Sequence, residues 1–179
     1  MKQHNVLFSE KFFDVVEVEG KVGIKNKHMS VAVLPYTVDD HGMVKEIGLL
    51  HEQNPFRLDG YCNTLITGTI EYEDDALLNT AKRELTEEGG ITVPDEENSR
   101  WIFLGPVYPY KDGDRIVPVF AVDVTNLVQK EADPQSEQEA ASQLLFHPVT
   151  EGISSDEGLV LSAFLRLFNF MYAKSMNHV

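Results

Sequence analysis

Cysteine is almost absent from this sequence. Cys62 stands alone among 179 residues, so the chain can form no internal disulfide, which suits a reducing compartment. It sits in an apolar, strand-like run, where a buried and inert thiol is expected. Positive charge is scarce too. Lys and Arg number 15 against 29 Asp and Glu, a net charge of −14. Such a chain repels phosphate backbones and anionic lipid at long range, which argues against general nucleic-acid or membrane-surface binding. A small phosphate ligand stays open, because a bound cation inverts the local sign. No apolar run approaches the roughly 18 residues that cross a bilayer. The opening stretch MKQHNVLFSEKFFDVVEVEG lacks the apolar core and small-residue cleavage site of a secretory signal. A cytoplasmic protein without a membrane anchor is therefore expected. The six histidines show no H-x-x-x-H or other zinc spacing.

What is present reads as one globular domain. Hydrophobic residues make up 42% and charged residues 25%, in the range of folded chains with a sizeable core. Along 11–24 Val16 and Val18 alternate with Glu17 and Glu19, and Gly20 supplies a turn: a hairpin with one wet face. A second strand pair spans 29–36 and 43–51 around the turn Asp39-Asp40-His41-Gly42. Asn54-Pro55 breaks the pattern, and 61–67 reads as one further strand. Asp74 and Asp75 can cap a helix that runs to Glu88 and stops at Gly89-Gly90. A polar loop follows over 94–100. Strands over 101–108 and 115–124 are joined by the turn Lys111-Asp112-Gly113-Asp114. The stretch 129–138 is an acidic loop, and 144–149 a short strand. A last helix opens with Ser154 and Glu157 as a capping box. Its stripe of Val160, Ala163, Phe164, Leu167 and Met171 belongs to the core. The order strands, helix, strands, helix implies an α+β architecture with helices on both faces of a mixed sheet.

The chemistry concentrates in Arg83-Glu84-Leu85-Thr86-Glu87-Glu88. On a helix, Glu84, Glu87 and Glu88 stand at i, i+3 and i+4 and share a face, where like charges repel. Lys82 and Arg83 offset part of this, and a hard divalent cation with oxygen ligands would offset more. The opposite face carries Leu78, Ala81 and Leu85, ready to pack on a sheet.

Arg83, Glu84, Leu85, Glu87, Glu88, Gly90 and Ile91 resemble the second half of the Nudix hydrolase box. Beyond it, Val31-Ala32-Val33-Leu34-Pro35, Glu52-Gln53 with Arg57, and Gly68-Thr69-Ile70-Glu71 are similar to the ADP-ribose pyrophosphatase branch. That resemblance implies an α/β/α sandwich with a mixed sheet over 28–179 and an N-terminal antiparallel β region over 1–27 that helps form a homodimer. The first half of the box departs from the pattern. Counting back from Arg83 puts Thr69 on the first glycine and Asp75 on the first acidic position, whereas counting forward from Gly68 gives Asp74. Either way an aspartate replaces the usual glutamate.

The resemblance further implies a Mg²⁺-dependent hydrolase, with Mn²⁺ as substitute, that splits a nucleoside diphosphate sugar. ADP-ribose is the leading substrate, giving AMP and a sugar phosphate. Glu84 and Glu88 would hold metal, with Glu87 sharing a second ion or orienting water and the Thr67 carbonyl adding a ligand. Arg83 would fix a carboxylate through an ion pair. Arg57 would contact phosphate, and Glu137 or Glu139 would act as base. Tyr108 or Tyr110 would touch substrate, with Phe56 and Trp101 as further aromatics, Trp101 more in keeping with the core. Rival readings are a Nudix enzyme for dinucleoside polyphosphates or nucleoside triphosphates, and a nucleotide sensor that binds without turnover.

Overall fold

A computed structural model describes residues 5–71, 76–109, 113–133, 135 and 137–176, apart from the side chains at 137 and 138. Three strands, β1 (Asn5–Ser9), β2 (Phe13–Val18) and β3 (Lys21–Asn26), form a separate antiparallel sheet in that order. The expected hairpin is β2–β3. Its turn residues Glu19 and Gly20 take φ of 52° and 79°, the positive pair that a two-residue turn needs to match strand twist. β1 is an addition: all of its residues are exposed, so no alternation of burial marks it. Within this sheet only Val16 is buried, while Val6, Leu7, Phe8 and Val22 remain exposed. The sheet is tied to the rest of the chain by a bridge between Ile24 and Gly113. The Asn26 amide also donates to Asp114 Oδ1 at 2.7 Å.

The main sheet has seven strands: β4 (Ser30–Val38), β5 (Val44–Gln53), β6 (Tyr61–Thr64), β7 (Ile66–Thr69), β8 (Trp101–Val107), β9 (Val117–Asp123) and β10 (Gln143–Pro148). Its order is β10-β5-β4-β9-β8, with β6 on β5 and β7 on β4. β4 and β9 run parallel and the other pairs antiparallel, so the sheet is mixed as expected. β4 is apolar almost throughout because both its faces are covered. Val31 and Val33 face a core shared with Ala81 and Leu85 of helix α1 (Leu77–Glu87). Ala32, Leu34 and Tyr36 face the other core, shared with Val160, Ala163, Phe164 and Leu167 of helix α4 (Gly158–Met176). The result is the α/β/α layering the sequence implies.

One feature of the sheet positions the candidate site. β4 and β5 pair only near Tyr36–Ile47 and Val38–Val44. Toward the other end they part, and the chain inserts β6 against β5 and β7 against β4. The single strand expected over 61–67 is therefore broken at Leu65, where the chain changes partner. Leu65 turns to the α4-side core and Ile66 to the α1-side core. The wedge carries Thr67 and Gly68 under α1.

Other local expectations are corrected. The polar 94–100 loop contains a 3₁₀ turn, Asp95–Arg100. The 129–138 loop runs into a single helical turn, α2 (Glu137–Ala140). Ser154 does not open the last helix. It closes α3 (Val149–Ser154), its hydroxyl donating back to the Thr150 carbonyl at 2.9 Å. Glu157 alone caps α4, accepting from the amides of Leu159 and Val160 at 2.7 and 3.3 Å. A carboxylate satisfies those orphan N–H groups as well as a hydroxyl does. α1 begins at Ala76 without a side-chain cap. Asp74 and Asp75, the expected caps and alternative box positions, lie outside the described residues, as do Tyr110 and the side chain of Glu137.

Candidate active site

α1 is held by its apolar stripe: Ala81 and Leu85 are fully buried, with Leu77 and Leu78 packed at the margin. It ends where the sequence places its stop. Gly90 takes φ of 67°, and the amides of Gly90 and Ile91 return to the carbonyls of Thr86 and Leu85 at 3.1 and 3.2 Å, which closes the helix through a left-handed residue.

The three carboxylates are not equivalent, and here the structure sharpens the sequence reading. Instead of forming an outward face opposite the core, Glu84 is buried beside it, at 7% exposure. Gly68 makes this possible: a Cβ there would stand 1.8 Å from Glu84 Cδ and Oε1, so the carboxylate lies directly on the bare backbone of β7. Glu88, one turn on, accepts a hydrogen bond from the Thr67 amide, while its Oε2 is buried with no hydrogen-bond partner among the described residues. In an extended strand a residue's N–H and C=O leave from the same edge, so the Thr67 carbonyl also leaves toward Glu88. Glu87 sits at the rim. Arg83 ties the group together, pairing with Glu84 Oε1 at 2.8 Å and Glu87 Oε2 at 2.9 Å and donating to the Thr69 carbonyl at 3.0 Å. This is the carboxylate-fixing role expected of it.

Burial dominates the electrostatics. It pushes the Glu84 carboxyl up to about 7; the Arg83 guanidinium opposes this, and the charges of Glu87 and Glu139 add to it. Burial likewise pushes Glu88 up to about 8, helped by Glu84, Glu139 and Glu52 and opposed by the Thr67 amide. Two of these neighbours are informative. Glu139 is one of the two candidate bases, and its charge acts on both Glu84 and the half-buried Glu88. Glu52 is a neighbour that the sequence did not mark as a site residue. It stands near the end of β5, opposite Cys62 of β6, and the available signal was its position where a core strand emerges from the sheet. Cys62 is partly buried. Its thiol donates to Glu52 Oε1 at 3.5 Å, and burial raises its pKa, as an inert thiol requires.

Arg57 and Tyr108 stand apart from this cluster. Arg57 pairs with Asp156 at 2.5 Å and lines a cavity of about 610 Å³ with His51, Tyr61, Asn63 and Ser155. His51 and Tyr61 stack there at 4.9 Å. His51 shares its sheet face with Leu49, which belongs to the α4-side core, so the cavity opens on the face away from α1. Its edge reaches the cluster through Cys62, which senses both Glu52 and Arg57. Phe56 is 95% exposed beside it. Tyr108, beyond β8, is 65% exposed. Trp101 packs edge-on against Phe120 at 6.3 Å and joins the α1-side core, in keeping with a packing role.

No protein-family model matches the sequence, and no curated protein matches it. Among solved structures, one described as "Crystal structure of ADP compounds hydrolase" superposes with a TM-score of 0.69 at 15% identity, covering 96% of this chain and 93% of that one. The two chains share a fold. At that identity the likeness extends to the path of the backbone and not to the chemistry, so the layered α+β architecture implied by the box resemblance is the architecture observed, and function rests on the site itself.

The donor set suits a hard divalent cation: oxygen atoms only, a buried Glu88 Oε2 without a partner among the described residues, and two carboxyls that burial makes harder to ionise without added positive charge. Among the described residues, however, no group of three or more His, Cys, Asp or Glu is already arranged to hold an ion. Arg83 takes up the space between Glu84 and Glu87 instead. A bound cation would therefore draw Glu88 and Glu84 to itself without needing Glu87 to leave Arg83.

A substitution at Gly68 tests whether Glu84 must lie on β7. The atoms that a new Cβ would meet are Cγ, Cδ and Oε1 of Glu84, a flexible side chain that can swing away. Gly68→Ala is therefore expected to leave the melting temperature within about 3 °C of the parent, since displacing a flexible side-chain end costs on the order of 1 kcal/mol or less. Mn²⁺ affinity should fall at least about tenfold, as for a mispositioned ligand. Calorimetry with Mn²⁺ checks this, and unchanged affinity would remove Glu84 from the metal-binding set.

Proposed function

We propose that this protein is a Mg²⁺-dependent Nudix-type hydrolase that cleaves the diphosphate of a nucleoside diphosphate sugar, with ADP-ribose the first substrate to examine. The observation that carries the proposal is the buried carboxylate of Glu84 beside the half-buried Glu88, whose Oε2 is enclosed without a partner among the described residues, both laid against Thr67 and Gly68 on a helix that bears the box pattern. Burying two acids side by side destabilises a fold unless something compensates, and a cation at a phosphate site provides that compensation. One solved structure of similar fold is described as an ADP compounds hydrolase, a description in keeping with this substrate class.

In this reading Glu84, Glu88 and the Thr67 carbonyl would hold the ion. When bound there, Mg²⁺ supplies positive charge that offsets the repulsion between anions and makes an attacking water more acidic. Arg83 keeps Glu87 at the rim, where it can share a second ion or orient that water. Glu139 accepts the water proton as general base. The water oxygen bonds to one phosphorus, the bridging P–O bond breaks, and the leaving phosphate departs as AMP or as the sugar phosphate. Arg57, in the adjoining cavity, binds the phosphate or sugar portion once it exchanges Asp156 for substrate.

The test is turnover by the purified chain with Mg²⁺ on ADP-ribose, other nucleoside diphosphate sugars, dinucleoside polyphosphates and nucleoside triphosphates, with products identified. AMP plus ribose phosphate from ADP-ribose is the expected result. Pyrophosphate or phosphate from a triphosphate would move the substrate class to the rival enzymes, and tight ADP-ribose binding with no product in either Mg²⁺ or Mn²⁺ would favour a sensor.

A further inference from the structure

The segment that follows β9 is fastened to the end of α1 by its backbone. The Lys130 amide donates to the Gly90 carbonyl at 2.8 Å, and the Asp133 amide donates to the Glu87 carbonyl at 2.9 Å. Contact is close enough that a Cβ on Gly90 would lie 2.2 Å from the Lys130 carbonyl oxygen and 3.4 Å from the Ala132 nitrogen. Those are backbone atoms, so the segment itself would have to move. On its other side, Gln129 Nε2 donates to the Leu144 carbonyl of β10 at 3.3 Å. Residues 129–133 thus span from the sheet to the helix end like a strap.

The strap answers an electrostatic problem. Glu87 and Glu88 sit at the C-terminal end of α1, where the helix carbonyls already concentrate negative potential. α1 has no basic residue in its last turn. Two backbone N–H groups delivered from outside satisfy carbonyls there without adding a mobile side chain. The strap then leads into α2, where Glu139 accepts from the Gln135 amide at 2.7 Å and the Ser142 amide closes onto the Glu139 carbonyl at 2.9 Å. Glu139 is thereby held in a turn by its own hydrogen bonds, a few residues from the strap.

We infer that Gly90 is a positioning residue: it seats the 129–133 strap on the end of α1, and the strap then sets the turn that carries Glu139, the proposed base. The inference rests on the hydrolase reading for its consequence on rate and on hydrogen bonds alone for its structural part. Gly90 therefore has a second duty beside terminating the helix. Its missing Cβ couples two segments that meet only in the folded chain.

Gly90→Ala imposes two costs, the strain of a side chain at φ of 67° and the clash with Lys130. Gly42→Ala separates them, because Gly42 has φ of 75° and nothing within 4 Å of an added Cβ. The full chain in Mg²⁺ is compared as wild type, Gly90→Ala, Gly42→Ala, Glu139→Gln and the double variant Gly90→Ala with Glu139→Gln. Gly90→Ala is expected to lower kcat by about 10- to 100-fold with KM changed less than about threefold, as for a displaced general base. Gly42→Ala should leave both unchanged. In the Gly90→Ala background, Glu139→Gln should cost less than about threefold more, since residues acting as one unit are not additive. Amide exchange gives the second readout: the Lys130 and Asp133 amides should be protected in wild type and in Gly42→Ala, and should exchange at least about tenfold faster in Gly90→Ala.

Full multiplication of the two effects on kcat, or equal losses in Gly90→Ala and Gly42→Ala, overturns the inference. Should wild type hydrolyse no nucleoside diphosphate at all, the hydrolase reading falls, and the exchange measurement decides the strap by itself: unchanged protection in Gly90→Ala overturns it. If Gly90→Ala does not fold, Lys130→Pro, which removes the Lys130 donor amide and also fixes the backbone there, carries the same expectations.

Discussion

Glu88→Gln should make the metal-free protein more stable while removing its function. Burial holds the Glu88 carboxyl at about 8, so near that pH ionising it is costly, and its Oε2 finds no partner among the described residues. Glutamine keeps the shape and can still accept from the Thr67 amide, but it carries no charge. A tenfold change in how tightly a carboxyl holds its proton is worth about 1.4 kcal/mol. Allowing generously for relaxation and solvent, the gain near pH 8 is about 2 kcal/mol, or roughly 4–8 °C in melting temperature for a chain of this size. The same change deletes a ligand whose charge offsets diphosphate repulsion, so Mg²⁺-dependent turnover should fall at least about a hundredfold, as the loss of a few kcal/mol of charge stabilisation dictates. Thermal melts without metal and rates with Mg²⁺ check the two halves. A parent that melts higher than Glu88→Gln at pH 8 would contradict the account of a site strained toward its cation.

Stability of the metal-free protein should fall as pH rises from about 5 to about 8. The sign follows from both pKa values being raised. Glu84 and Glu88 ionise near 7 and near 8 in the folded chain, against an ordinary 4.5. Below the ordinary value both are neutral folded and unfolded, and the fold bears no cost. Between that value and the folded ones, the unfolded chain sheds protons that the folded chain retains, so unfolding gains and stability declines. The decline ends once pH has passed the folded value of Glu88. A divalent cation must displace those protons. Mn²⁺ or Mg²⁺ binding near pH 7 should therefore release between about one and two protons, seen as a dependence of calorimetric heat on buffer ionisation enthalpy. The metal-induced rise in melting temperature should be several degrees larger at pH 8 than at pH 6, as the binding linkage requires. Binding with no proton release would place the ion elsewhere.

Much of this was legible in the sequence, and the exceptions share a cause. Local rules sufficed for the β2–β3 turn at Gly20, the stop at Gly90 and the apolar faces of β4 and α4, because each depends on neighbours in the chain. They also gave the helix spacing of Glu84, Glu87 and Glu88. Spacing alone could not say that Glu84 lies on Gly68, since that requires β7 to leave β5 for β4 at Leu65, a change of partner with no signature in periodicity. Glu52 escaped notice for the same reason: its relevance comes from the strand beside it. The supposed Ser154 and Glu157 capping box failed because a three-residue interval fits two helices that meet as readily as one that starts. Arg57 matched a pattern, yet the structure pairs it with Asp156, an acid far along the chain that no local reading could nominate.

The parallel pairing of β4 with β9 sets Ala32 against Val119 and Leu34 against Ala121. Such a pair can form only after a long intervening stretch has been made and gathered in, which slows folding. The apolar side of α1 needs Phe120, Val122 and Val124 to complete its core. On the ribosome the acidic helix is therefore made before part of the surface that steadies it. Its core stays half-built on β4 and β7, which precede it, until β9 emerges. The carboxylate site proposed to hold a cation is then completed late, only in chains that have already closed the finished sheet.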